Sequence, residues 1–228
     1  MKKYIFLTVA LLLTINMSAQ LKINYLVGYN HSLMGDMKDI AEMSVSQMNF
    51  ELGGNVKMTD KFPTYISHYG EVTYQMDEHE FGIVGGYMST GARYAYSDYS
   101  GKYSAKIVAE GFKIGLIYKH HFYRKEINNN LFSTFFSLAP SAVLTDVNVE
   151  EVIELYELGV NQKNTENVIN SKFGFSIQPM IGCSYTMFKR VSILLNAGYD
   201  FELGSKIGPS HRVDWSGFRL SAGIGVSL

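Results

Sequence analysis

The stretch "KFGFSIQPMIGCSYTMFKRVSILLNAGYDFEL", residues 172 to 203, decides the fold. Phe173, Phe175, Ile177, Ile181, Cys183 and Tyr185 share one parity, and Ser176, Gln178, Ser184 and Thr186 share the other. After a break at Phe188, Lys189 and Arg190 the alternation resumes, with Val191, Ile193, Leu195, Ala197, Tyr199, Phe201 and Leu203 set against Ser192, Asn196, Asp200 and Glu202. A period of two places successive side chains on opposite faces of an extended chain. Each run is about 13 to 15 residues, whereas strands in water-soluble domains average about 5 or 6. A tilted strand that crosses a bilayer needs about 9 to 11 residues and often projects beyond it. The apolar face of this hairpin is therefore expected to meet lipid.

The same alternation recurs upstream and downstream. Candidate strands are Lys22 to Tyr29, Gln47 to Met58, Thr64 to Met76, His79 to Ser89, Lys106 to His120, Leu131 to Val143, Lys172 to Thr186, Val191 to Leu203 and Trp215 to Leu228. Single-chain bacterial barrels have an even number of strands, short periplasmic turns and longer outer loops. Counting back from the C-terminus through the short connection at 77 to 79 makes residues 30 to 63 one outer excursion. Gln47 to Met58 then becomes a rim strand, with a short helix at Met34 to Met43. The expected fold is all-β, an antiparallel up-and-down transmembrane barrel of eight strands, with ten as the alternative. Further outer loops are expected at 90 to 105 and 144 to 170. The spacing of Val149, Val152, Ile153 and Tyr156 in the latter suits a short amphipathic helix with an acidic outer face.

The N-terminus reads as a secretory signal. Lys2 and Lys3 precede an apolar run from Tyr4 to Ile15, about 12 residues and too short to span as a helix. Residues 1 to 19 are excluded from the fold, and 20 to 228 form one barrel domain. No Cys follows the cleavage region, which argues against a lipid-anchored lipoprotein. The formal net charge of −1 argues against a nucleic-acid partner. A single Cys183 excludes an internal disulfide framework.

The inward parity is polar and Gly-rich. It carries Glu71, Lys113, Asp200, Glu202 and Arg219, which should form a charge-paired lumen, since charges away from bulk water must be compensated. Aromatic residues near strand ends, including Tyr65, Phe81, Tyr118, Tyr199 and Trp215, are expected to form interfacial girdles.

Segments across most of the mature chain carry a family resemblance: "SAQLKINYLVGY", "MGDMKDIAE", "KMTDKFPTYISHYGEVTYQM", "FGIVGGYMSTGARYAYSDYSGKY", "GLIYKHHF" and "DWSGFRLSAGIGVSL". The chain resembles the small OmpA-like or PorT-like outer-membrane β-barrel proteins of the Bacteroidetes. The resemblance implies an integral outer-membrane location and supplies no active site. Many barrels end in an aromatic residue read by the assembly machinery; Leu228 departs from that pattern.

An eight-stranded barrel is only wide enough for its own side chains, so function is expected in the loops or on the outer wall. His31-Ser32, and Ser210-His211 with Asp214, are the pairs that a rim lipid A-modifying enzyme would use. His120-His121 looks like a metal pair, but neighbours on a strand point to opposite faces. "DEHE" at 77 to 80 reads as a charged turn ahead of a cation site. The expectation is a noncatalytic barrel with an envelope-structural or loop-mediated binding role, no cofactor and no metal. Its expected partners are outer-membrane lipid and lipopolysaccharide, the barrel-assembly machinery and an extracellular ligand at the loops. It is expected to be monomeric. A PorT-like part in secretion or surface assembly is the alternative.

Overall fold

The computed structural model describes residues 20–51, 56–157, 159–204, 206–207 and 211–228. The expected signal peptide lies outside them. In chain order the elements are β1 (Gln20–Ser32), α1 (Gly35–Glu51), β2 (Lys57–Lys61), β3 (Tyr65–Met76), β4 (His79–Ser97), β5 (Gly101–Ile127), β6 (Asn130–Leu155), β7 (Val160–Met187), β8 (Val191–Gly204), β9 (Lys206–Ile207), β10 (His211–Arg212) and β11 (Gly217–Ser227).

Eight strands close on themselves. The ladder runs β4-β3-β1-β11-β8-β7-β6-β5, and β5 pairs back onto β4. Every pairing is antiparallel. Closure leaves the lower wall no free strand edge. The connections at one end are tight. Asn128 and Asn129 both take positive φ (48 and 65°) between paired Ile127 and Asn130, the two-residue geometry that matches strand twist. Phe188 and Lys189 do the same, at 51 and 57°.

The surface is inverted relative to a water-soluble protein. Ile114 is 66% exposed, Leu116 64% and Ile224 61%, while Lys113, Lys119, Asp200 and Arg219 are each at most 3% exposed. Water would not tolerate such an apolar belt on a monomer, and lipid requires it. Outward polar groups find partners in the wall: Tyr25 Oη lies 2.7 Å from His68 Nδ1, and Tyr87 Oη donates to Glu110 at 2.6 Å.

At the other end several expectations need correction. Residues 90 to 105 and 144 to 170 are not loops. β4 with β5, and β6 with β7, continue as hairpins, joined by Ser97 opposite Lys102 and Leu155 opposite Val160. The helix expected around 149 to 156 is strand, because Val147, Val149, Ile153 and Leu155 also satisfy a period of two and the ladder with β5 holds them. The rim strand expected at Gln47 to Met58 is also wrong. Residues 47 to 51 complete α1, which is longer than the helix expected at Met34 to Met43, and strand begins only at Lys57. Asn49 joins the two elements, its side chain accepting from Val56 N at 2.7 Å and donating to Val56 O at 3.3 Å.

The helix closes the top. Met34, Met37 and Ala41 form an inward stripe that packs on Tyr65, Met88, Ala92, Ile107, Val143, Val147, Val213 and Trp215. Above the membrane belt the chain thus has an ordinary apolar core. Tyr65 and Trp215, expected in the girdles, belong to this plug. Trp215 is 1% exposed, and its indole N–H donates to Thr145 Oγ1 at 3.0 Å.

Candidate functional site: a lumen filled by paired charges

Below the plug the lumen holds two levels of charge. In the upper level Lys113 Nζ lies 2.8 Å from Asp200 Oδ2 and donates to Gln178 Oε1 at 2.7 Å. Arg219 Nε lies 3.5 Å from the same Asp200 oxygen, and Nη1 donates to Tyr65 Oη at 2.8 Å and Ser32 Oγ at 3.3 Å. Strand alternation turns these groups inward, and in the ladder Arg219 sits opposite Gly198 and Lys113 opposite Gly86 and Val143.

In the lower level Lys119 is bound to Glu71 and lies 3.2 Å from Glu80. Glu80 also meets His121 Nε2 at 3.1 Å and Lys22 at 3.5 Å, while Asn24 donates to Glu71 at 3.1 Å. Between the levels the remaining cavity is about 20 Å³, bordered by Leu26, Tyr69, Val84, Ile117 and Asn196. That is space for about one water.

The five residues expected in the lumen are all buried, and their grouping differs from the simple one. Asp200, Lys113 and Arg219 meet. Glu71 joins the lower level instead. Glu202 Oε2 accepts from Trp215 N at 2.6 Å, and its own amide donates to Ser216 Oγ at 2.9 Å. It therefore fixes the turn that carries the plug.

Glu80, His121 and Tyr65 were missed. Glycines on both parities of 79 to 89 blurred the register that turns Glu80 inward. His121 shares the inward parity of Lys113 and Lys119, one step beyond the last residue of the strand expected at Lys106 to His120.

The candidate catalytic pairs fare differently. His31 is exposed on the outer wall, whereas Ser32 is buried beneath the plug, 2.9 Å from Tyr65 Oη. They point to opposite faces. Ser210 lies outside the described residues. The backbone of His211 pairs with Ile207. His120 and His121 also separate, His121 to the lumen and His120 to the wall. Among the described residues no three or more His, Cys, Asp or Glu are grouped to hold a metal.

The long hairpins beyond the apolar belt carry titratable groups of their own. Asp98 is held down to about 2 by hydrogen bonds from Ser100 and Tyr96. Burial, then its bond to Glu151, pushes the Tyr103 phenol well above its ordinary value.

No protein-family model and no curated protein matches the chain. Among solved structures it is similar to Neisserial surface protein A, with 12% identity, TM-score 0.39, and 93% of this chain and 100% of that chain covered. It is also similar to Ail, the attachment invasion locus protein of Yersinia pestis, in complex with sucrose octasulfate, with 12% identity, TM-score 0.34 and 92% and 97% covered. LpxR from Salmonella typhimurium matches at 8% identity and TM-score 0.23, covering 90% and 99%. The ladder, the apolar exterior and the filled interior together make this chain a closed, eight-stranded transmembrane β-barrel.

Proposed function

We propose that this chain is an integral outer-membrane protein that acts without catalysis, through its extracellular hairpins, as a structural or binding element of the envelope. The observation that carries the reading is the closed lumen. An apolar plug and two ion-paired levels lie in series along the axis, so transport through the barrel is disfavoured and the groups available to a partner are those projecting outside. Lipid and lipopolysaccharide surround the belt, the assembly machinery inserts it, and a monomer suffices because closure leaves no lower edge to pair. Reconstitution in planar bilayers tests this. The expected result is no discrete conductance; stepwise ion currents from folded protein would overturn it.

A second reading, closer to the PorT-like resemblance, is a part in secretion or surface assembly. It is favoured by the upper end of β7. Among the described residues, pairing of β7 with β8 begins only at Gly174 with Gly204, so β7 rises past the end of β8 while still pairing with β6, with β9 lying against part of it. A strand edge of that kind can receive an extended segment of another chain. A rim lipid A-modifying enzyme has less support, since His31 and Ser32 diverge.

A further inference from the structure

Two motifs that read separately as a charged turn and a failed His pair meet in space. His79 opens β4 directly opposite His120 on β5. Their ring centres are 5.2 Å apart and the planes are tilted by 31°. We propose that His79 and His120 form a two-histidine site for a divalent transition ion, on the outer wall at the end of the barrel with the tight turns.

Three observations carry this. A metal about 2.1 Å from an imidazole nitrogen lies about 3.2 Å from the ring centre, so two rings on one ion at ligand angles of about 90 to 110° sit roughly 4.5 to 5.2 Å apart. The measured separation fits, and closing both rings onto one ion takes a rotation about χ2, a broad torsion for histidine. Second, His79 Nδ1 lies 2.9 Å from Tyr118 Oη. In the tautomer that donates this bond, Nε2 is left as a lone pair, which is how metal-bound histidines are oriented by their outer partners. Third, among the described residues His120 Nδ1 is buried with no hydrogen-bond partner, so no hydrogen bond there accounts for that nitrogen.

The surroundings fit an ion with water in its remaining positions. His79 lines a shallow recess with Asp77, Phe81 and Tyr118 and stacks on the Phe81 and Tyr118 rings, at the depth where aromatic girdles meet the headgroups. Two imidazoles select zinc, copper or nickel over magnesium or calcium. A cation held there would sit beside lipid phosphates.

Titration of the folded, detergent-solubilised barrel with NiCl2 and with ZnCl2, followed by isothermal calorimetry, tests the site. One ion per barrel is expected, with affinity falling at least about tenfold in either His79→Gln or His120→Gln, since a chelate loses one arm. His68→Gln, an outward histidine on β3 stacked on Tyr25, should bind as the native chain does. Heat-modifiable gel mobility reports whether each variant is folded. Absence of binding to the folded native barrel, or binding that both folded variants retain, would overturn the proposal. Either result leaves the conductance test of the closed lumen unaffected.

Discussion

Asp200 is shared by Lys113 and Arg219, both nearly inaccessible to solvent. Asp200→Asn removes the carboxylate that both cations share. Loss of one partner of a buried pair costs about 3 to 5 kcal/mol, because the other charge stays desolvated. The expected outcome is a folded barrel whose urea midpoint in detergent falls sharply, with Lys113→Met in the same background recovering part of the loss. An unchanged midpoint in Asp200→Asn would show that the level is hydrated. Asp98 presents the opposite case, a carboxylate at an exposed hairpin tip. Its folded value, about 2, lies below the unfolded one near 3.9. Its contribution is therefore complete above about pH 4 and disappears as pH falls through about 2. Amide exchange at Ser100 and Gly101, whose amides donate to Asp98 Oδ1 at 2.8 and 3.0 Å, should accelerate over that window. It should be fast and independent of pH there in Asp98→Ala, once the intrinsic exchange rate is divided out.

At the scale of elements, the seam between β1 and β11 closes the barrel, and it is crowded. A Cβ on Gly223 would collide with the carbonyl of Tyr25 and with Leu26 Cα at 2.8 Å, whereas one on Gly70 meets nothing within 4 Å. Gly223→Val should abolish the heat-dependent gel shift that marks a closed barrel, and Gly70→Ala should leave it intact. A preserved shift in the valine variant would mean that the seam can open to admit a side chain. The outer elements show how local pattern and ladder compete. The spacing of Val149, Val152, Ile153 and Tyr156 fits a helix, but Val149, Val152 and Ile153 lie in β6, paired on both sides by β5 and β7, and Tyr156 falls in the turn that follows it. For α1 a short helix at Met34 to Met43 was legible, and its extension through residue 51 was not, since Asn49 and Val56 come together only in the folded chain.

Considered whole, the molecule is a lipid-facing cylinder whose upper end is built as a water-soluble protein would be. The two regimes respond differently to the same substitution. Leu116→Arg places a charge in the apolar belt and should cost about 2 to 4 kcal/mol near the bilayer midplane. Phe50→Arg, at an exposed position of α1, should change stability by less than about 0.5 kcal/mol. Unfolding from lipid vesicles measures both, and equal effects would place the belt elsewhere.

Alternation along 172 to 203 and its repeats was enough to determine the eight wall strands within the belt, the face that meets lipid and the polar interior, because a period of two is fixed by the covalent geometry of an extended chain. It also placed Asp200, Lys113 and Arg219 on one side of the wall. Strand number followed from the even count and the short connections. The tertiary structure alone decided which charges pair, that Tyr65 and Trp215 plug the barrel instead of girdling it, that the outer loops are hairpins, and that His79 faces His120. Those outcomes depend on the register between strands far apart in sequence. Register is set by the closure of the ring, a condition on all eight strands together that no single segment contains.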